Sequence, residues 1–343
     1  MCASVEYIVR LEGRQKTLAS PEPHAAREFR NPDLAWLLHR QIFVRRIDVL
    51  QLEYMVMGQY SGGFRRIPSV LFEHDVYFQS IARRLPHIAT LGDKTIAAWE
   101  YLRSLRYELR LLTRPDRIQV CSPDNRKYIE SFLPGLKGRI DDSFRAGIDT
   151  SLYEFRAGER EPLTMLFLGG FRHLPNLDAL IWFVRGVLPL VRAEEPKARL
   201  IVVGSDPPSR HVLPEGGSID LVGFVEDVRE PLSRYAIFIC PILAGSGVRV
   251  KLLEAFAAGI PVVSTRVGAE GLADKDGDLC ALADTPDDFA KRILDLFRDP
   301  AKAAAMAERA RTEVVTHRDI RRMTENMVAS YRRQVQERRA DPA

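Results

Sequence analysis

The chain has 343 residues, 46% of them apolar and 28% charged, with a net charge of +4. That is an ordinary globular composition, and the length suits two domains that each bury a core. Four cysteines, Cys2, Cys121, Cys240 and Cys280, stand far apart with no CxxC pair, which speaks against a disulfide framework or a zinc knuckle. No N-terminal apolar segment of signal type and no apolar run of about eighteen residues is seen, so the sequence predicts no leader and no membrane span. A cytoplasmic location is expected.

In chain order, the first half alternates loosely between strands and helices. Strands are predicted near Val5–Arg10, Ile47–Glu53, Pro68–Phe72 and Arg117–Cys121. The first half also carries the basic bias, with 25 Lys and Arg against 20 Asp and Glu in residues 1–160 and 25 against 26 thereafter. Its densest part is YLRSLRYELRLLTRPDR over 101–117. There Arg103, Arg106, Arg110 and Arg114 recur beside an apolar stripe of Leu102, Leu105, Leu109 and Leu112, a basic amphipathic helix ended by Pro115. The expectation is a helix lying on its own domain with a solvated arginine face. Peripheral contact with an anionic membrane surface, at the inner membrane face, is the alternative. Aromatic residues are too thinly interleaved for a nucleic-acid partner. Ser122-Pro123 starts the next helix, with Ser as N-cap and Pro in the first turn. The polar stretch DTSLYEFRAGEREP, 149–162, marks the boundary of a first domain over 1–150.

From 163 onward the alternation is cleaner. Strands are predicted at Leu163–Leu168, Ala198–Val203, Ser218–Val222, Ile237–Cys240, Pro261–Thr265 and Asp278–Ala281, with helices near 174–194, 226–234, 248–258 and 285–298. Strand–helix alternation implies right-handed crossovers and a parallel sheet. The second domain is placed at 163–316, and 317–343 closes the chain as a helix expected to pack back on the first domain.

Two glycine-bearing loops stand where strands hand over to helices. Leu166-Phe167-Leu168 runs into Gly169-Gly170-Phe171-Arg172, and Ile239-Cys240-Pro241 runs into Gly245-Ser246-Gly247. Bare main-chain N–H groups at a helix start suit a phosphate anion, and Arg172, Arg249 and Lys251 add positive charge. Neither loop is a dinucleotide fingerprint, and glycine after a strand is more often a plain turn. Glu254 lies in a small-residue helical run beside Ala255 and Ala258. Its carboxylate suits the two hydroxyls of a ribose; the plainer alternative is an exposed glutamate paired with Lys251 three residues earlier. Asp274-Lys275-Asp276-Gly277-Asp278 lacks the EF-hand glycine and acid and reads as a turn rather than a metal site. No HxxxH pair supports zinc and no GxSxG supports a serine hydrolase.

Taken together, PILAGSGVRVKLLEAFAAGIPVVSTRVGAEGL resembles the donor-binding signature of retaining GT-B glycosyltransferases, the glycosyltransferase family 4 group. GGFRHLPNLDALIWFV, LIVVGSD and LVGFVEDVREPLSRYAIFICP follow that family's order in its C-terminal domain. VLQLEY, PSVLFEHD, IQVCSPDN and AGIDTSLYEF resemble landmarks of its acceptor domain more loosely. The resemblance implies an α/β GT-B fold of two Rossmann-like parallel-sheet domains facing across a cleft. Against the family pattern the N-terminal domain begins at about the third strand, so a shortened first domain is expected.

The resemblance further implies that Glu254 holds the ribose and that Gly245, Ser246 and Gly247 meet the donor sugar. Position 246, where the family carries its first acid, is Ser. Gly170, Arg172, Arg249 and Lys251 fall to the diphosphate side, and Phe224 and Val225 stand where the base rests. His74, at the end of a strand, matches the histidine directed at the donor sugar. The function implied is transfer of a hexose from a UDP- or GDP-sugar to a glycan or lipid-linked acceptor, with retention of configuration and without metal, in cell-surface polysaccharide synthesis. A non-catalytic nucleotide-sugar-binding remnant of such an enzyme is the alternative.

Overall fold

The computed structural model describes residues 4–9, 19–64, 66–142, 146–155, 160–208 and 217–340. The chain divides into two compact units, residues 1–144 together with 326–343, and residues 145–325.

The first unit holds four parallel strands in sequential order, β1 (Leu50–Glu53), β2 (Ser69–Glu73), β3 (Arg117–Val120) and β4 (Ile140–Asp141). Its helices are α1 (His24–Glu28), α2 (Pro32–Arg45), α3 (Tyr77–Arg84), α4 (Leu91–Leu111) and α5 (Pro123–Phe132). Leu50, Leu52, Leu71, Ile118 and Val120 of the sheet bury against Phe78, Leu111, Leu112 and Ile129. Ser122 caps α5 as expected, its Oγ accepting from Asn125 N at 3.1 Å, with Pro123 in the first turn. Residues 4–9 form no strand, and Arg10 of the predicted Val5–Arg10 strand lies outside the described residues.

The basic helix differs from its prediction. It starts at Leu91, where Thr90 Oγ1 accepts from Asp93 N, and ends at Leu111, before Pro115 is reached. Arg106, Arg110 and Arg114 are exposed, but Arg103 is buried, ion-paired with Glu100 and donating to Ser20 O at 3.3 Å. Leu102, assigned to the apolar stripe, is exposed, while Ser104 and Glu108 face inward. Leu105, Leu109 and Leu112 pack on the core as the stripe implies, and polar partners decide the rest of the buried face. Glu108 accepts from Tyr77 N and Phe78 N, both at 3.1 Å, and so caps the start of α3 from a neighbouring helix.

The second unit holds six parallel strands, β5 (Glu161–Leu168), β6 (Arg199–Val203), β7 (Ile219–Gly223), β8 (Tyr235–Cys240), β9 (Val262–Ser264) and β10 (Ala281–Leu282). They lie in the order β10-β9-β8-β5-β6-β7. The order reverses between β5 and β8, so the crevice beyond their carboxyl ends is the topological switch point of a doubly wound sheet. The central strands are buried on both faces, which is why they read as unbroken apolar runs. Of the predicted Asp278–Ala281 strand only Ala281 pairs, continuing to Leu282.

α6 (Leu174–Trp182) and α7 (Leu188–Glu194) join through a π-turn at Phe183–Val187. Contrary to the expectation that no segment matches a membrane span, Leu174–Glu194 is 21 residues long with a mean hydropathy of 1.4, enough by length and composition. Its apolar residues Ala179, Leu180, Phe183, Val184, Val187, Leu188 and Val191 are buried in the core of this unit. The remaining helices are α8 (Arg229–Arg234), α9 (Val250–Ala258), α10 (Pro286–Arg298), α11 (Pro300–His317) and α12 (Ile320–Ala340). α12 begins in the second unit, and from Asn326 its residues belong to the first. There Tyr331 Oη donates to Gln51 Oε1 at 2.7 Å, and Arg338 pairs with Asp116.

Candidate functional site

In the second unit, the loops after β5 and β6 are locked together through main chain. Gly169 N donates to Val203 O and Phe171 N to Ser205 O, both at 3.0 Å. A Cβ on Gly204 would stand 1.8 Å from Gly169 O, and Gly204 sits at φ +151°. Glycine is required here, and the amides of Gly169, Phe171 and Gly204 are spent on holding the turn at the carboxyl end of the central strands. Arg172, expected on the diphosphate side, is a solvent-exposed side chain paired with Asp206 at 3.0 Å.

Across the switch point, β8 runs into Gly245-Ser246-Gly247, with φ +119° and +76° at the two glycines. Arg249 folds back beneath this loop, its Nη1 donating to Ser246 O at 2.7 Å. Its Nε and Nη2 are buried without an acceptor among the described residues. Buried guanidinium N–H groups without partners are uncommon, and they suit an anion supplied from outside the chain.

Lys251 is built in more tightly than the sequence implies. Its Nζ donates to Leu168 O at 2.9 Å and Asn176 Oδ1 at 2.8 Å and lies 5.1 Å from the Phe167 ring centroid. Burial, with Arg249 adding to it, lowers the ammonium to about 8. Lys251 therefore ties β5, α6 and α9 together while bringing positive charge under both glycine loops. His173, at the start of α6, belongs to the same cluster, since burial and the charges of Arg249 and Lys251 lower its imidazole.

Glu254 is not paired with Lys251. Its Oε1 accepts from Tyr153 Oη at 2.9 Å. Burial raises the carboxyl above its usual range even though the Tyr153 hydrogen bond pulls it down. The same contact, after the larger effect of burial, raises the Tyr153 phenol. A half-buried acid with one oxygen held and lone pairs to spare can accept from vicinal hydroxyls. Phe224 follows Gly223 at φ +83° and is exposed, whereas Val225 packs on the core. An exposed ring at the end of β7 can stack on a planar base.

In the first unit, His74 follows β2, and its Nε2 lies 2.5 Å from Glu53 Oε2. Its ring packs against those of Tyr54 and Phe72 at centroid distances of 4.4 and 4.2 Å. Gly170, Gly245, Ser246, Gly247, Arg249, Lys251 and Glu254 thus gather at the carboxyl ends of β5 and β8, with Phe224 and Val225 beyond β7. Tyr153, His173 and Asn176 complete that group and were missed. Of these only Asn176, one residue after Pro175 in a helix start, had a local signal. Within the acidic run 274–278, Asp276 is spent on structure, accepting from Leu282 N at 2.8 Å and from Arg292 Nη2 at 2.5 Å.

Residues 162–299 match the family model of glycosyl transferases group 1. That segment contains every second-unit residue of the candidate site except Tyr153. Curated relatives include a 44.6 kDa protein of the cps region of Klebsiella pneumoniae, 31% identical over 144 residues, covering 39% of this chain and 37% of that protein. D-inositol 3-phosphate glycosyltransferase of Mycobacterium avium is 27% identical over 253 residues, covering 67% of this chain and 58% of that protein. The matched part of the chain thus spans between about a third and three-fifths of these relatives.

Among solved structures, sucrose-phosphate synthase of Thermosynechococcus elongatus aligns with TM-score 0.67 at 17% identity, over 88% of this chain and 77% of that one. Anabaena HepE in complex with UDP aligns with TM-score 0.63 at 15% identity, over 87% and 81%. The fold is GT-B.

Proposed function

We propose that the chain is a glycosyltransferase that moves a hexose from a nucleotide-diphosphate sugar to a glycan or lipid-linked acceptor with retention of configuration. The observation that carries this reading is Arg249, with two buried N–H groups unanswered under a glycine loop, one helix turn from a carboxylate held by Tyr153. The group 1 match over 162–299 supports glycosyl transfer, and HepE, a structural neighbour, is described with UDP and with UDP-glucose.

On this reading the diphosphate lies on the amides of Gly170 and of Gly245–Gly247, with Arg249 neutralising charge and Lys251 beneath. Glu254 accepts from the ribose hydroxyls and Phe224 stacks on the base. Charge developing on the leaving phosphate is met by fixed dipoles and cations that need no reorganisation. The leaving phosphate then takes the acceptor's proton, so no second carboxylate is required, unlike glycoside hydrolysis. His74 contacts the donor sugar. Synthesis of cell-surface polysaccharide on the cytoplasmic side, without metal, completes the proposal.

The test is turnover of a panel of UDP- and GDP-hexoses by the purified chain with and without added divalent metal. Release of UDP or GDP that is lost in Arg249→Ala and Glu254→Ala is expected. Tight nucleotide binding without turnover of any sugar would point instead to a binding protein.

A further inference from the structure

Tyr331, Gln51, Glu53 and His74 of the first unit are linked by hydrogen bonds whose donors converge on Glu53. Tyr331 Oη, on α12, donates to Gln51 Oε1 at 2.7 Å. Gln51 Nε2 donates to Glu53 Oε1 at 3.0 Å and to Gln119 Oε1 at 3.3 Å, so the amide orientation is fixed at both ends. Glu53 Oε2 meets His74 Nε2 at 2.5 Å.

The direction of that last bond follows from charge. Burial pushes the Glu53 carboxyl up, but hydrogen bonds from His74 and Gln51 outweigh it and leave it below its usual range. An ionised carboxylate only accepts, so the proton lies on Nε2 of the imidazole. Nδ1 has no partner among the described residues and is not enclosed. Tyr54, whose ring packs on the imidazole, sits at φ +70° and ψ 147°, a region costly for a residue with a side chain. Strain of this kind persists where surrounding contacts over-determine it and clusters at functional sites.

We infer that Glu53, held by Gln51 and by Tyr331 of the last helix, is a positioning residue that keeps His74 with Nε2–H inward and Nδ1 outward as an acceptor for a hydroxyl of the sugar. This rests on the reading of His74 as a sugar contact. The consequence is a specificity rule: the donor sugar must present an O–H, not only an acceptor, to this imidazole. The last helix also becomes a means of tuning His74 from a distance.

The test combines imidazole ¹⁵N spectra of the full chain at pH 8 with turnover of UDP- and GDP-hexoses. His74 is assigned by its loss in His74→Asn. The wild type is expected in the Nε2–H form and Glu53→Ala to populate Nδ1–H. Turnover should fall on the order of fivefold to tenfold in Glu53→Ala, the worth of one hydrogen bond, and fall less in Tyr331→Phe. UDP affinity should stay unchanged in both. An unchanged tautomer in Glu53→Ala would overturn the inference. So would a changed tautomer with undiminished turnover in a chain that His74→Asn impairs. Full turnover in His74→Asn would remove the sugar contact itself, while the spectra still decide the Glu53 pairing.

Discussion

Replacing Glu254 by Ala removes the one carboxylate that α9 presents beside the glycine loops. In the free chain its Oε1 takes the Tyr153 hydroxyl at 2.9 Å, so about half of its accepting capacity remains for a ribose. The group is half-buried, and burial holds its carboxyl above the usual range, so a hydrogen bond to it is less screened than one at the surface. Loss of one to two charge-assisted bonds is expected to cost about 1–3 kcal/mol, or roughly 5- to 150-fold in the dissociation constant of UDP. Calorimetry of UDP binding at pH 8 measures this directly. Tyr153→Phe is the companion variant. It removes a hydrogen bond that favours the ionised acid, so its UDP affinity should drop more steeply than wild type as pH is lowered. Unchanged UDP affinity in Glu254→Ala, with the fold intact by circular dichroism, would refute the assignment of Glu254 to the ribose.

Arg249→Ala should weaken UDP binding by about tenfold or more while barely affecting uridine, since on the proposed reading its buried, unpartnered N–H groups answer phosphate and not base; calorimetry with both ligands checks it. Gly204→Ala should destabilise the second unit by more than about 3 kcal/mol in denaturant unfolding, because the new Cβ meets Gly169 O at 1.8 Å with no flexible atom to yield. Glu73 and Glu108 give a pH prediction. Burial raises both, Glu73 well above the usual range with Glu108 and Asp75 adding to it, and Glu108 to about 8 against the hydrogen bonds from Phe78 and Tyr77. The folded chain therefore keeps protons that the unfolded chain releases above 4.5, so stability falls as pH rises from there through 8. Glu73→Gln should flatten that fall in thermal unfolding measured across the range. A fall of equal slope in the variant would contradict it.

The second unit was legible because its central strands are buried on both faces and read as unbroken apolar runs; β5, β6 and β8 were placed within two residues at each end. At the sheet edge the signal faded, and of Asp278–Ala281 only Ala281 pairs. The basic helix was legible in part: Leu105, Leu109 and Leu112 face the core and Arg106, Arg110 and Arg114 face solvent, as expected. A stripe of leucines suggested one face, yet Arg103 and Glu108 are buried because Glu100 and the N–H groups of Tyr77 and Phe78 await them. No window of local sequence carries such partners.

The candidate site divides along the same line. Glycines and Glu254 were visible as residue types at particular spacings. The hydroxyl that holds Glu254 comes from 101 residues away, and the acceptors of Lys251 from 83 and 75 residues away. The sequence therefore suggested Lys251 as a diphosphate-side cation or a partner of Glu254, and gave no sign of its ties to Leu168 and Asn176.

A crystal structure of the chain with UDP tests the central claim most directly. Pyrophosphate oxygens should lie within hydrogen-bonding distance of the Gly245–Gly247 amides and of Arg249, with both ribose hydroxyls on Glu254. A nucleotide seated elsewhere, or one leaving the Arg249 N–H groups and Glu254 untouched, would contradict it.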